Sequence, residues 1–120
     1  MKEVEHELLS NNYTRVFHED EFTNNAPHHF KVYESVRTPE PKLLAEVDFQ
    51  EGPIKEAGVN GVNNEDLIAM VICRLNYFNQ SSFACEENSK AILKLEEALL
   101  TLRARTNKRE KRGVEGTHIV

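Results

Sequence analysis

The chain has 120 residues, 39% of them apolar, with twenty acids against fifteen lysines and arginines and a net charge of −5. That length supports one domain with a modest core and is short for a self-contained enzyme, while the acidity opposes binding to long anionic polymers. No apolar run reaches membrane length and no signal peptide is read, so a cytoplasmic protein with reduced thiols is expected.

Three strands are predicted first: YTRVF at 13–17, FKVYESV at 30–36 and LLAEVDF at 43–49. Asn24-Asn25-Ala26-Pro27 and Thr38-Pro39-Glu40-Pro41 supply the turns between them. Phe30, Val32 and Val36 alternate with Lys31, Tyr33 and Ser35, and Ala45, Val47 and Phe49 alternate with Glu46 and Asp48. Each strand therefore has one apolar and one polar face, and a small antiparallel sheet is the economical arrangement. His28-His29 invites a metal reading, but no third ligand stands at helical or hairpin spacing. Surface histidines are expected, with no metal and no cofactor.

Residues 50–62 form a connection punctuated by Gly52-Pro53, Gly58 and Gly61. Gly58, Asn60 and Gly61 precede a helix start, where main-chain N–H groups could face phosphate, but a plain turn is the simpler reading. Asn63 or Asn64 is a good N-cap, with Glu65 and Asp66 in the first turn. The helix is expected to run to Asn79. Its apolar residues Leu67, Ile68, Met70, Val71, Ile72, Leu75 and Phe78 cover more of the circumference than one partner helix can bury. A turn at Gln80 and Ser81 follows, Ser82 is a candidate cap, and a second helix is expected as far as Arg112, with Gly113 as the stop. At a rise of 1.5 Å per residue the two helices measure ~22 Å and ~43 Å, a lopsided hairpin. The fold class is α+β: one domain with a β-rich part at 1–51 and a helical hairpin at 52–120.

The second helix carries the most informative pattern. With 100° per residue and Ala91 at zero, Ala91, Ile92, Leu95, Ala98, Leu99 and Leu102 fall within about 120°, an ordinary core-facing stripe. On the same count Asn88 falls at about 60°, and Arg105, Arg109 and Arg112 at about 320°, 0° and 300°. The arginines continue the stripe that the leucines begin. Guanidinium is always charged and carries five fixed donors, so on such a face it implies an anion. Charge along the chain agrees: residues 1–66 hold fourteen acids and six bases, whereas 103–112 hold six bases and one acid, Glu110. So local a basic focus suits a small anion better than a polynucleotide.

Cys73 and Cys85 flank the helix–helix turn among apolar neighbours and are expected to be buried free thiols. Leu93 and Leu100 fall at about 200° and 180°, on the far side of the second helix. Together with the overhang of that helix, this second apolar patch points to self-association through the hairpin.

FACEEN at 83–88, LEEAL at 95–99, RARTNKRE at 103–110 and RGVEGTH at 112–118, with NGVNNEDLI at 60–68 and RLNYF at 74–78, resemble a known hairpin. It is the one shared by the first-described phage Thoeris anti-defence sponge family and the phage anti-CBASS sponge. The resemblance covers about residues 52–118 with specific motifs, and the β-rich extension matches the Thoeris branch in length only. It implies non-enzymatic sequestration of a cyclic ADP-ribose isomer (a gcADPR-type signal) in the cytoplasm of an infected bacterium. It extends to cyclic di- or trinucleotides at separate sites, and to self-assembly as a dimer at least and a hexamer by resemblance. Residue by residue, it implies that Phe78 stacks on a base, Asn88 hydrogen-bonds it, and Arg105 and Arg109 contact the pyrophosphate or ribose oxygens. Arg112, in phase with them, joins the set. Lys55 is a weaker candidate for the second site.

Bland rivals stand beside each role. Phe78 suits a core position, Asn88 a satisfied amide, and a basic helix end is commonly a solvated face favoured by the dipole. Helix length adds a constraint, because Asn88 and Arg109 are ~32 Å apart along one axis. One small cyclic nucleotide cannot touch both within one subunit, so an antiparallel partner is required and two-fold symmetry gives two composite pockets per dimer. The competing functions are an enzyme that degrades the same signal and a nucleic-acid-binding or structural hairpin. Against the enzyme, no Ser-His-acid set, metal cluster or paired carboxylates lie near the arginines.

Overall fold

The computed structural model describes residues 1–36 and 38–120. They form two compact units: Met1–Gly52 with Ala57–Val62, and Pro53–Glu56 with Asn63–Val120. The α+β class is as expected from the sequence, a four-stranded antiparallel sheet followed by helices.

In the first unit the strands are β1 (Lys2–Glu3), β2 (Thr14–His18), β3 (His29–Glu34) and β4 (Leu43–Asp48), ordered β1-β2-β3-β4 as a meander. The three longer strands were anticipated, with bounds that differ by one or two residues. β1 was not, because two residues carry no period. It is pinned instead by its neighbour: the Arg15 guanidinium donates to both Glu3 carboxylate oxygens at 2.8 Å, which holds that carboxyl below its ordinary value. The register places Val16 opposite Val32 and Val32 opposite Ala45, and His18 opposite Phe30 and Phe30 opposite Val47. The apolar face is therefore continuous across three strands. The other face is less polar than alternation suggests, since Phe17 and Tyr33 meet edge to face with ring centres 5.8 Å apart.

The connection after β4 returns to the sheet. Phe49 bridges Val62 in parallel, Gln50 donates from its N–H to Val62 at 2.8 Å, and Val62 donates to Asp48 at 2.9 Å. Gly61 is required there, because a Cβ would fall against the Phe49 main chain. Asn60 closes the same turn with two 2.8 Å bonds to the Glu51 main chain, and its own N–H is taken by Gln50 at 3.0 Å. The plain-turn reading holds, and that N–H does not face an anion. His28 overturns an expectation: it is buried at 9% exposure, with Nε2 at 2.9 Å from the Thr23 carbonyl. An imidazole that finds a local main-chain partner loses its reason to stay in water.

The second unit opens with α1 (Ile54–Ala57), one helical turn that the glycine-rich connection concealed and whose last residue packs with the sheet unit. Its helices proper are α2 (Asn64–Asn79) and α3 (Glu86–Arg112), of 16 and 27 residues. Asn63 is the N-cap of α2, and its N–H is received by Asp66 Oδ2 at 2.8 Å. α3 starts later than Ser82 suggested, with Cys85 at its N-cap. Asn79 makes the difference: its Oδ1 accepts from the Cys85 N–H at 3.3 Å and its Nδ2 donates to Ser89 Oγ at 3.0 Å, so residues 80–85 are held as turn. Gly113, left-handed at φ 73°, ends α3 as predicted.

Among the described residues no hydrophobic side chain is fully buried. Treated as separate bodies of half the mass each, two globular units would together expose about 8,000 Å². The chain exposes 9331 Å². The excess lies in part on the hairpin, where Met70, Tyr77, Phe83, Leu93 and Leu100 are all more than half exposed. Cys73 and Cys85 are free but exposed, contrary to the buried thiols anticipated. Cys85 lies in the turn, and the helix stripe that covers apolar residues does not extend to either cysteine.

Candidate ligand-binding site

The half-buried residues of α3 are Asn88, Ala91, Ile92, Leu95, Ala98, Leu99, Leu102, Thr106 and Arg109. That is the stripe the sequence defines, with one correction. Arg105 and Arg112 are exposed, while Arg109 alone of the three arginines stays in the stripe. The helix turns ~100° per residue, which puts the stripe centre at about 40° and Arg105 and Arg112 about 80° and 100° away from it, clear of the flank of the partner helix.

At the turn end of the hairpin, Phe78, Arg74, Tyr77, Ser81 and Phe83 line a cavity of about 460 Å³. Arg74 lies one turn before Phe78 on α2, which brings its guanidinium carbon to 5.1 Å from the Phe78 ring centre. Phe78 itself is 38% exposed, so it is not the core residue that its place on an apolar helix allows. Ser81 Oγ donates to the Phe78 carbonyl at 2.6 Å and receives the Phe83 N–H at 3.1 Å, which fixes the two aromatic rims. Three other features of this cavity, Arg74, Tyr77 and Phe83, were not singled out from the sequence. The i, i+4 spacing of Arg74 and Phe78 is the signal that could have found the first.

Asn88 is half-buried nearby and donates from Nδ2 to the Phe83 carbonyl at 3.4 Å. Its amide thus belongs to the same turn as the cavity. The far end of α3 gathers the basic residues. Arg105 makes no hydrogen bond or ion pair among the described residues and projects freely. Arg112 donates to a main-chain oxygen of Val120 at 2.8 Å. Arg109 is 12% exposed and paired at 3.2 Å with Glu115, so part of the negative charge implied by its position comes from the chain itself.

Two sets of groups result, an aromatic–cationic cavity at the turn and an arginine cluster at the C-terminal end of α3. A planar ring can stack in the first, and the guanidinium forks of the second match phosphate oxygens. The 21 residues from Asn88 to Arg109 rise ~32 Å, so a single chain does not bring the sets together. Among the described residues no group of three or more His, Cys, Asp and Glu is arranged to hold a metal ion.

Comparison with known proteins gives two matches. The sequence pattern of the Acb2/Tad1 hairpin domain matches residues 42–107. A protein called Thoeris anti-defense 1, from Bacillus phage SBSphiJ7, is 50% identical, with 98% of this chain and 99% of that protein aligned. The hairpin match begins ahead of the motifs, at β4, and the full-length likeness takes in the sheet as well. The chain belongs to the Acb2/Tad1 hairpin family.

Proposed function

We propose that the protein is a phage anti-defence factor directed against Thoeris immunity, which binds and holds a cyclic ADP-ribose isomer without degrading it. It acts in the host cytoplasm, and its relative from Bacillus phage SBSphiJ7 carries the corresponding name. The observation that carries the reading is the pairing of chemistries at the two ends of one hairpin. An aromatic cavity suits a nucleobase, and an arginine cluster suits a diphosphate.

Because the ends are ~32 Å apart, the pocket is composite. Phe78 and Asn88 come from one subunit, and Arg105, with Arg109 and Arg112 beside it, from an antiparallel partner. The hairpin's exposed Leu93, Leu100 and Met70 supply apolar surface for that association, which gives a dimer at least and accommodates a hexamer. Cyclic di- or trinucleotides would take separate sites, outside this pocket. Nothing in the arrangement calls for a cofactor.

The test is recovery of the ligand. Protein is incubated with cyclic ADP-ribose isomers, separated from free nucleotide and heated, and the released material is analysed. Sequestration returns the intact isomer in proportion to protein. Linear ADP-ribose accumulating beyond one equivalent would mean an enzyme, and no retained nucleotide at all would end the proposal.

A further inference from the structure

Arg109 is anchored by the chain's own C-terminus. The left-handed Gly113 turns the last seven residues back along α3. Arg109 Nε then donates to Glu115 Oε2 at 3.2 Å and Nη1 to the Ile119 carbonyl at 2.8 Å, while Nη2 donates to the carbonyls of Val114 at 3.0 Å and Thr117 at 3.1 Å. Four of the five N–H donors of the guanidinium are taken. The tail is fixed elsewhere too: the Lys55 N–H donates to the Gly116 carbonyl at 2.8 Å, and His118 Nδ1 lies 2.9 Å from a Glu56 oxygen.

Three of the four acceptors on Arg109 are neutral carbonyls, and one is an anion. Only the anion can be exchanged like for like with a phosphate oxygen. Its position is open to exchange, because Glu115 lines a groove of about 490 Å³ together with Leu99, Thr106, Arg103 and a second acid, Glu65.

Building on the sequestration reading, we infer that Glu115 sets the affinity threshold of the anion site. Its tethered carboxylate holds Arg109 in the free protein, and a ligand must displace it. The tether gives the carboxylate an effective concentration in the millimolar range, so every incoming anion is weakened by the same factor. A lone phosphate is pushed out of its working range by that factor. A diphosphate that engages Arg109 and Arg105 together still binds, and the site stays clear of common cellular anions.

Calorimetry with inorganic phosphate, inorganic pyrophosphate and cyclic ADP-ribose, on wild type and Glu115→Gln, tests this. The glutamine keeps the shape but carries no charge, so both phosphate and pyrophosphate should bind about tenfold more tightly, the weight of one charge-assisted contact. In the wild type, hydrogen exchange at the amides of 114–120 should quicken when pyrophosphate or the cyclic nucleotide binds. Equal or weaker binding by a folded Glu115→Gln protein overturns the inference, as does tail protection that persists in the complex. Should that variant not fold, the wild-type exchange measurement decides alone. Tail release by pyrophosphate without any binding of a cyclic ADP-ribose isomer defeats the sequestration reading and spares this one. Nucleotide binding with an unmoved tail does the reverse, and binding of neither defeats both.

Discussion

The Arg74 guanidinium covers one face of the Phe78 ring, with its central carbon 5.1 Å from the ring centre. A base stacked on Phe78 therefore meets the other face, or slides between ring and cation. Either way Arg74 supports the stack. Phe78→Ala should weaken binding of the cyclic nucleotide by about 1–3 kcal/mol, and Arg74→Ala by about 0.5–1 kcal/mol. Calorimetry gives both numbers. An Arg74→Ala protein that binds more tightly would show that the cation blocks the ring.

Subunit exchange tests the composite pocket. Arg105 has no hydrogen-bond or ion-pair partner among the described residues, so Arg105→Ala should lower affinity by about 1.5–3 kcal/mol while leaving the fold intact. Mixed with Phe78→Ala protein under conditions of exchange, it should restore sites approaching about a quarter of the wild-type number, since half of random two-fold pairs are mixed and each has one intact pocket. No recovery despite proven exchange would put both residues in one pocket of one chain.

The proposed association would rest on apolar surface that the chain leaves open. Leu93 and Leu100 are 55% and 72% exposed. Light scattering at micromolar concentration should show a multimer, and Leu93→Glu with Leu100→Glu should shift it to smaller species. A wild-type monomer would remove the basis for a shared site.

His29 makes the sheet unit sensitive to pH. Its Nδ1 is 2.9 Å from Asp48 and its Nε2 3.0 Å from Glu51, contacts that raise its pKa, Asp48 first and Glu51 second. Glu51 is held below its ordinary value of 4.5 by the hydrogen bond from His29 and then that from Thr23. A raised histidine stabilises fully below its ordinary 6.5 and loses that contribution as pH climbs through the folded value. A lowered carboxyl loses its contribution as pH falls below 4.5. Melting temperature should thus decline from pH 6 to pH 8.5, and less so in His29→Gln. Identical profiles for the two proteins would dismiss the bridge as a contributor.

Gly61→Ala should cost about 1–3 kcal/mol, because the new methyl must push aside the Phe49 main chain rather than a pliable side chain. Urea titration checks it. An unchanged midpoint would mean that the Phe49–Val62 bridge is dispensable.

Much of this architecture is legible in the residues. Apolar spacing gives α2 and α3 because sixteen and twenty-seven residues hold several turns, and Asn63 and Gly113 mark their ends by known chemistry. β1 and α1 escape because two strand residues and a single turn carry no period. Arg109 declares itself by phase, but what it meets does not. Three of its four partners are main-chain carbonyls, which have no signature in side-chain letters, and only Gly113 hints that the chain doubles back. His28 hides for the same reason, since its partner is the carbonyl of Thr23. The cavity around Phe78 was half visible: its ring stood out through the resemblance, while Arg74, Tyr77 and Phe83, inside the same motifs, had no role assigned to them.

α3 is eleven residues longer than α2. An isolated helical segment of that length is only marginally stable in water. Its final turns should therefore form a local unfolding unit of their own, fastened by the bonds between Arg109 and the tail and melting before the rest of the hairpin. A partner subunit packing on that end would then quench an opening motion as well as add contacts. Part of the binding energy would go into that ordering, leaving a heat-capacity change larger than the contact area alone predicts.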